Sequence, residues 1–153
     1  PSIVTGGTAA AQKATFMAKS AQLPGSTVSQ IVQPYFGREV KFAGNRTFQD
    51  WAVTVINDED FSIRKAIERW MNALNSHVGN LRNPAFVSSV AYQTDGTVYQ
   101  YGKASSKPIK LYRFIGMFPI DISPIELDWG ANDSIEEYSC TFAYQYWTAT
   151  TTT

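Results

Sequence analysis

The sequence predicts a mainly β single domain with one flanking helix, and three observations carry that prediction. Aromatic residues reach 14% of the chain while charged residues make up only 17%, and strands favour aromatic side chains. Alternation with a period of two recurs, as in Glu39-Val40-Lys41-Phe42 and again through Ile135–Trp147, which is the pattern of half-buried strands. Helical spacing of apolar residues is strong in one segment only, about Asp60 to Ser76.

A chain of 153 residues fits one domain, expected to span 1–153, and buries a core without needing metals or disulfides. Residues 5–12 are small and polar and read as a flexible start. Lys13–Ala21 reads as a short strand stopped by Leu23-Pro24-Gly25. Val28–Gln33 is a second extended run, interrupted by Pro34 and Gly37. A third covers Glu39–Ala43, with Gly44-Asn45 as a turn.

Trp51–Ile56 is the clearest central strand. Trp51, Val53 and Val55 fall on one face, and Ala52, Thr54 and Ile56 on the other. Asn57-Asp58-Glu59-Asp60 ends it and opens the helix, with Asp58 or Asp60 as N-cap. Ile63, Ala66, Ile67, Trp70, Met71 and Leu74 form the helix's apolar stripe, opposite Arg64, Lys65, Glu68, Arg69 and Asn72. The predicted core is therefore Trp51, Val53, Val55, Ile63, Ile67, Trp70 and Leu74, together with Phe142 from the last long strand.

His77–Pro84 reads as loop. Phe86–Tyr92 and Val98–Tyr101 read as strands around a Thr94-Asp95-Gly96-Thr97 hairpin turn. Ser105–Pro108 is a break, Ile109–Phe118 a strand, Pro119–Pro124 a loop, Ile125–Leu127 a short strand and Asn132-Asp133 a turn. Ile135–Trp147 is the longest strand, with Tyr138, Cys140, Phe142, Tyr144 and Tyr146 on one face. Residues 148–153 are a frayed tail.

The charge pattern argues about partners. Thirteen basic and thirteen acidic residues give zero net charge, whereas nucleic-acid binders carry a basic excess. The balance conceals an asymmetry. From Phe61 to Pro119 eight basic residues stand against Glu68 and Asp95, while from Ile120 onward all six charges are acidic (Asp121, Glu126, Asp128, Asp133, Glu136 and Glu137). Such a molecule can stack head to tail on itself, although solvated surface charge gives the same pattern. Aromatic richness with few charges fits either a surface hidden against partners or a well-filled β core.

Catalytic material is scarce. His77 is the only histidine and Cys140 the only cysteine; the first suits a helix C-terminus and the second an inert core thiol. A lone cysteine rules out an internal disulfide and agrees with a reducing compartment. No metal-ligand spacing is present, and Gly6-Gly7 lacks the pattern of a phosphate loop. Glu136 and Glu137, adjacent on a strand, point to opposite faces and cannot share a proton. No enzymatic activity, cofactor or metal is expected. No apolar run approaches the roughly 18 residues that span a bilayer, so no membrane partner is expected. The start has no signal-peptide pattern.

Two stretches are more specific. One runs from Tyr35-Phe36-Gly37-Arg38 through Ala43-Gly44-Asn45-Arg46-Thr47-Phe48-Gln49-Asp50-Trp51 to Asp60. The other is Gly116-Met117-Phe118-Pro119-Ile120-Asp121 through Glu126-Leu127-Asp128-Trp129. With the closing Tyr144-Gln145-Tyr146-Trp147, the chain from about Lys13 to Trp147 resembles the tail tube proteins of contractile-tailed bacteriophages. The matching features are the Arg-Thr-Phe turn, the Trp-led strand, the Asn-Asp-Glu helix start, the Phe-Pro and the Leu-Asp-Trp motif.

That resemblance implies an antiparallel β-sandwich or barrel-like fold, shared with type VI secretion tube (Hcp-like) subunits. It implies homo-hexameric rings joined edge to edge into a continuous barrel and stacked into a tube. A tail sheath would surround the tube, a baseplate or tube initiator would start it, and phage DNA would pass through the lumen without sequence-specific binding. The location implied is the virion tail, with assembly in the bacterial cytoplasm. Alternatives within the resemblance are a tube-initiator or baseplate-hub ring and the inner tube of a contractile injection system. Arg38, Lys41, Asn45, Arg46 and Phe48, with Asp121, Glu126, Asp128 and Asp133, are the expected inter-subunit contacts. The family carries a first strand ahead of the loop at Thr5; this chain opens inside that region, which leaves the pairing of one sheet edge open. Alternation alone does not say which strand face lines the lumen.

Overall fold

A computed structural model describes residues 4–103, 105–128, 130 and 135–151. Its frame is an antiparallel sheet of six strands. The order is β1 (Ala18–Ala21), β4 (Trp51–Ile56), β7 (Glu137–Ala143), β6 (Ser105–Ile122) and β5 (Thr94–Gly102), with β8 (Tyr146–Thr151) also on β6. Among the described residues, β2 (Ser26–Tyr35) and β3 (Arg38–Phe48) pair only with each other. Two helices of more than two turns, α1 (Gly7–Met17) and α2 (Ser62–Leu74), pack together beside the sheet.

β4 shows why the core sits where it does. Trp51, Val53 and Val55 are buried, while the alternating Ala52, Thr54 and Ile56 are half-buried. Their register partners on β7, Phe142, Cys140 and Tyr138, are buried on the same face. α2 lays Ile63, Ala66, Ile67 and Trp70 against that face, with Leu74 partly buried at its end. Trp51 stacks on Phe114 of β6 at 4.5 Å between ring centroids. The indole N–H of Trp70 donates to the Tyr92 carbonyl at 2.9 Å, which fixes the chain beyond α2.

The start of the chain departs from expectation. Residues 7–17 are helix α1 rather than a flexible loop leading into a strand. The run Ala9-Ala10-Ala11 with Gln12, Lys13 and Ala14 has high helix propensity, which outweighs its small, polar appearance. Only Ala18–Ala21 of the predicted first strand is extended. α2 has no side-chain cap at its first turn: its N-cap is Phe61 in the left-handed region, and Asp58 instead binds Lys13 of α1.

Several apparent turns and breaks lie inside strands. Gly44-Asn45 lies inside β3 as a bulge, two residues opposite Ser29; a Cβ on Gly44 would stand 2.4 Å from Ser29 Oγ. The true reversal is Phe36-Gly37, both at positive φ (44° and 79°), the signature of a tight two-residue hairpin turn. Pro34 is tolerated inside β2 because this edge has no second neighbour to serve. Thr94–Thr97 belongs to β5, and β5 reverses into β6 beyond the Gly102–Ser105 pair. Ser105–Pro108 and Pro119–Ile122 likewise extend β6 to both sides of the predicted strand.

Phe86–Tyr92 is not a strand. Asn83 caps Ala85 at 3.0 Å, Pro84 opens a short 3-10 turn, and α3 (Ser89–Tyr92) follows; Asn-Pro favours helical initiation over extension. Ile125–Leu127 is irregular chain. The turn expected at Asn132-Asp133 lies outside the described residues.

The long last strand is broken once, by a kink. β7 ends at Ala143 and β8 begins at Tyr146, yet the register against β6 is the same on both sides of the gap. On β6 the core residues Phe114 and Met117 are three apart, and Tyr144 and Trp147 are three apart opposite them. Both strands therefore slip their alternation together. Tyr146, expected on the core face, pairs with Ile115 and is exposed, and Trp147 takes the inward position. Gly116 makes the slip possible at φ +66°, since a Cβ there would lie 2.8 Å from Gln145 Cγ. Residues 148–151, expected to fray, complete β8 along β6.

Candidate assembly surface

The β2–β3 hairpin carries ten and eleven residues per strand, with exposure along almost all of both. On one of its faces the register aligns Ile31 with Phe42, Gln33 with Val40 and Tyr35 with Arg38. Ile31 and Phe42 are 58% and 56% exposed, and Phe36 at the tip is 92% exposed. An isolated two-stranded ribbon is marginal in water, and an apolar stripe of this kind calls for cover.

At its base the hairpin is held firmly. Phe48 packs on Tyr144 and Trp147, at 6.1 and 6.5 Å between centroids. The expected contact residues of this region fall along β3. Arg38 stands beside the tip, and Lys41 lies on the face opposite Phe42. Asn45 sits in the bulge, and Arg46 pairs with Val28. Phe48 is half-buried at the base, so it anchors the arm instead of offering free surface.

The acidic candidates gather elsewhere. Asp121 stands one residue before the end of β6, opposite Thr141, while Glu126 and Asp128 follow in exposed irregular chain, Asp128 accepting the Gly130 N–H at 2.9 Å. Asp133 and Trp129 lie outside the described residues. The hairpin enters β4 at Trp51, whereas the acidic segment leaves past Ser123, which pairs with Ser139 opposite Thr54. Basic arm and acidic segment thus depart from opposite ends of the central strands.

Open edges add to the picture. β1 and β5 end the strand order, and each has one strand neighbour among the described residues, as does β8. Unpaired edges are templates for pairing with another chain. The sheet face opposite α2 carries Ala52, Thr54, Ser139 and Thr141, all partly exposed. Two cations on it are paired: Lys19 with Glu137 at 2.5 Å and Arg113 with Asp95 at 2.8 Å. The hydrogen bond from Arg113 holds the Asp95 carboxyl below its ordinary pKa against a smaller opposing effect of burial, and the Gly116 N–H at 3.2 Å adds to the lowering.

Chemistry finds little purchase. His77 is exposed in the turn after α2. Cys140 is fully buried, and burial pushes its thiol up to about 12, far from a nucleophilic thiolate at neutral pH. Among the described residues no three His, Cys, Asp or Glu side chains group as a metal site, and no helix is long and apolar enough to cross a membrane. A cavity of about 350 Å³ between α1 and α2 is lined by Thr5, Ala9, Lys13, Lys65 and Arg69, and Arg69 is already engaged by the Thr5 carbonyl.

The hairpin and the open edges are features that sequence reasoning had in part. It placed contacts at Arg38–Phe48 but did not find the apolar stripe of Ile31, Val40 and Phe42, whose signal was the alternation in both arms around Phe36-Gly37.

Comparison with known proteins bears on the family and the fold. A family model described as phage tail tube protein matches residues 3–150. Tail tube protein gp19 of Enterobacteria phage T4 is 29% identical over 136 residues, covering 89% of this chain and 82% of the relative. The tail tube protein of Serratia phage KSP90 is 27% identical, covering 84% and 70%. Among solved structures, the tube-terminating cap of the anti-feeding prophage superposes with a TM-score of 0.67 at 16% identity, covering 88% and 80%. The sheath/tube terminator of an extracellular contractile injection system gives 0.65 at 14%, covering 87% and 84%; both show likeness of fold.

Proposed function

Since the chain belongs to the phage tail tube protein family, a structural component of contractile phage tails, we propose that it polymerises with copies of itself into the inner tube through which the genome leaves. Copies close sideways into six-membered rings by pairing sheet edges, and rings stack head to tail inside a sheath. The tube acts as a conduit and performs no catalysis.

The observation that carries this reading is the hairpin. An arm of two strands with Ile31, Val40 and Phe42 in a row on one face gains its stability only when a neighbour covers that row. Its excess of basic residues (Arg38, Lys41 and Arg46 against Glu39) complements the acidic segment at Asp121–Asp128 of the next copy, and opposed charges of this kind fix register and direction. Stacking of this type is heterologous and open-ended, which makes a filament.

The test is assembly of purified protein followed by negative-stain microscopy and sedimentation. Wild type is expected to form long hollow tubes. Ile31→Asp with Phe42→Asp, and separately Arg46→Glu or Asp128→Lys, are expected to leave a folded monomer that no longer polymerises. Tubes of normal length from all of these variants would refute the hairpin and charge assignments. Closed rings from the wild type would favour a tube initiator instead.

A further inference from the structure

The structure assigns Glu137 and Asp95 the role of charge-masking residues on the tube's inner wall, an assignment that rests on the tube reading above. The helices α1 and α2 occupy one face of the sheet with the core between them. The opposite face continues across the kink without changing side, because both strands slip together at Gly116 and Tyr144-Gln145. Along it lie Thr54, Ser139 and Thr141 on the β4–β7 side, and Thr97 and Thr148 flanking Arg113 on the β5–β8 side. Tyr99, Leu111, Ile115 and Tyr146 share the β5–β8 part of this face, so the face is mostly uncharged and its charge rests on a few side chains.

Among the described residues, the cations on this run are Lys19 and Arg113. Each has a carboxylate of its own, Glu137 at 2.5 Å and Asp95 at 2.8 Å. Asp121 stands on the same face opposite Thr141, so the local balance is slightly negative. Asp95 is held doubly, by Arg113 and by the Gly116 N–H, which keeps its carboxylate turned toward the guanidinium. A polyanion sliding past such a wall meets no unpaired cation whose counterions it would displace. Unpaired cations repeated around a ring and along a stack would instead bind phosphates cooperatively and with strong salt dependence.

The experiment uses assembled tubes and a fluorescent single-stranded oligothymidine as probe, read by co-sedimentation. Wild-type tubes are expected to carry down little probe at low salt. Tubes of Asp95→Asn with Glu137→Gln are expected to retain at least about tenfold more, and to lose that gain as salt is added. Adding Lys19→Gln and Arg113→Gln to that pair is expected to return retention to the wild-type level. Should the Asp95 change prevent assembly by loosening the kink, Glu137→Gln alone makes the same comparison. Intact unmasked tubes that retain no more probe than wild type would overturn the masking role.

A separate readout tests the parent reading. In a Thr141→Cys variant the new thiol is expected to react with a bulky polymer maleimide in monomers and to be shielded in tubes, Cys140 itself being fully buried. Equal reaction in both states would mean that this face is not enclosed, whatever the oligonucleotide does.

Discussion

The hydroxyl of Tyr144 donates to the main-chain carbonyl of Gln49 at 2.5 Å, so the kink between β7 and β8 is bonded to the root of the exposed hairpin. The same ring packs on Phe48 and on Phe114, at 6.1 and 5.1 Å. One residue therefore couples the bend of the sheet to the direction of the arm. Burial, with the nearby Asp50 carboxylate, raises the Tyr144 pKa, which keeps the donor proton in place.

Tyr144→Phe keeps the ring and removes this bond. A single hydrogen bond is worth about 0.5–1.5 kcal/mol, so global stability is expected to fall by about that much. Amide exchange is expected to quicken across 26–48 while β4 and β7 stay protected, and tube growth to slow. Unchanged exchange in the hairpin would show that Phe48 packing alone aims the arm.

Gly116→Ala places a Cβ at positive φ and against Gln145 and Gln93, at 2.8 and 3.0 Å. Strain of this kind costs more than about 1 kcal/mol, and a lowered denaturation midpoint is expected. Gly37→Ala also sits at positive φ but has nothing within 4 Å, so the smaller loss there would isolate the steric part at the kink.

Trp70→Ala removes a side chain 2% exposed at the centre of α2. Large-to-small core changes of this type cost about 3–5 kcal/mol, measured by chemical denaturation. Trp70→Phe is expected to lose much less, because it retains most of the packing and forfeits the bond to the Tyr92 carbonyl.

Acid weakens the Asp95 clasp. Because the folded pKa of Asp95 lies below the ordinary value of 3.8, its contribution is fully present above that value and is lost as pH falls through the folded one. The wild type and Asp95→Asn are therefore expected to converge in stability as the solution is taken below about pH 4. Parallel curves down to pH 2 would show that Arg113 does not engage Asp95 in solution.

The central strand was legible because Trp51–Ile56 alternates cleanly and ends in an Asn-Asp-Glu helix start. α2 was legible because its apolar stripe repeats at helical spacing, and one side chain rarely tolerates a different period. Residues 7–17 were not, since a run of alanines reads as both flexible and helical until α2 supplies a surface for it. The turns at Gly44-Asn45 and Asp95-Gly96 were misplaced for a common reason: glycine beside a polar residue marks a bulge as readily as a reversal, and only a partner strand tells them apart.

By itself the sequence determined the local choices and the family: a β-rich domain, one amphipathic helix, and the motifs of a tail tube. Those depend on neighbours along the chain and survive any change in the surroundings. Tertiary structure alone decided that the hairpin stands clear of the core, that Tyr146 yields its inward place to Trp147, and that Lys19 and Arg113 each face a carboxylate. These depend on which strands meet and in what register, and a shift of one residue reverses every side chain beyond it.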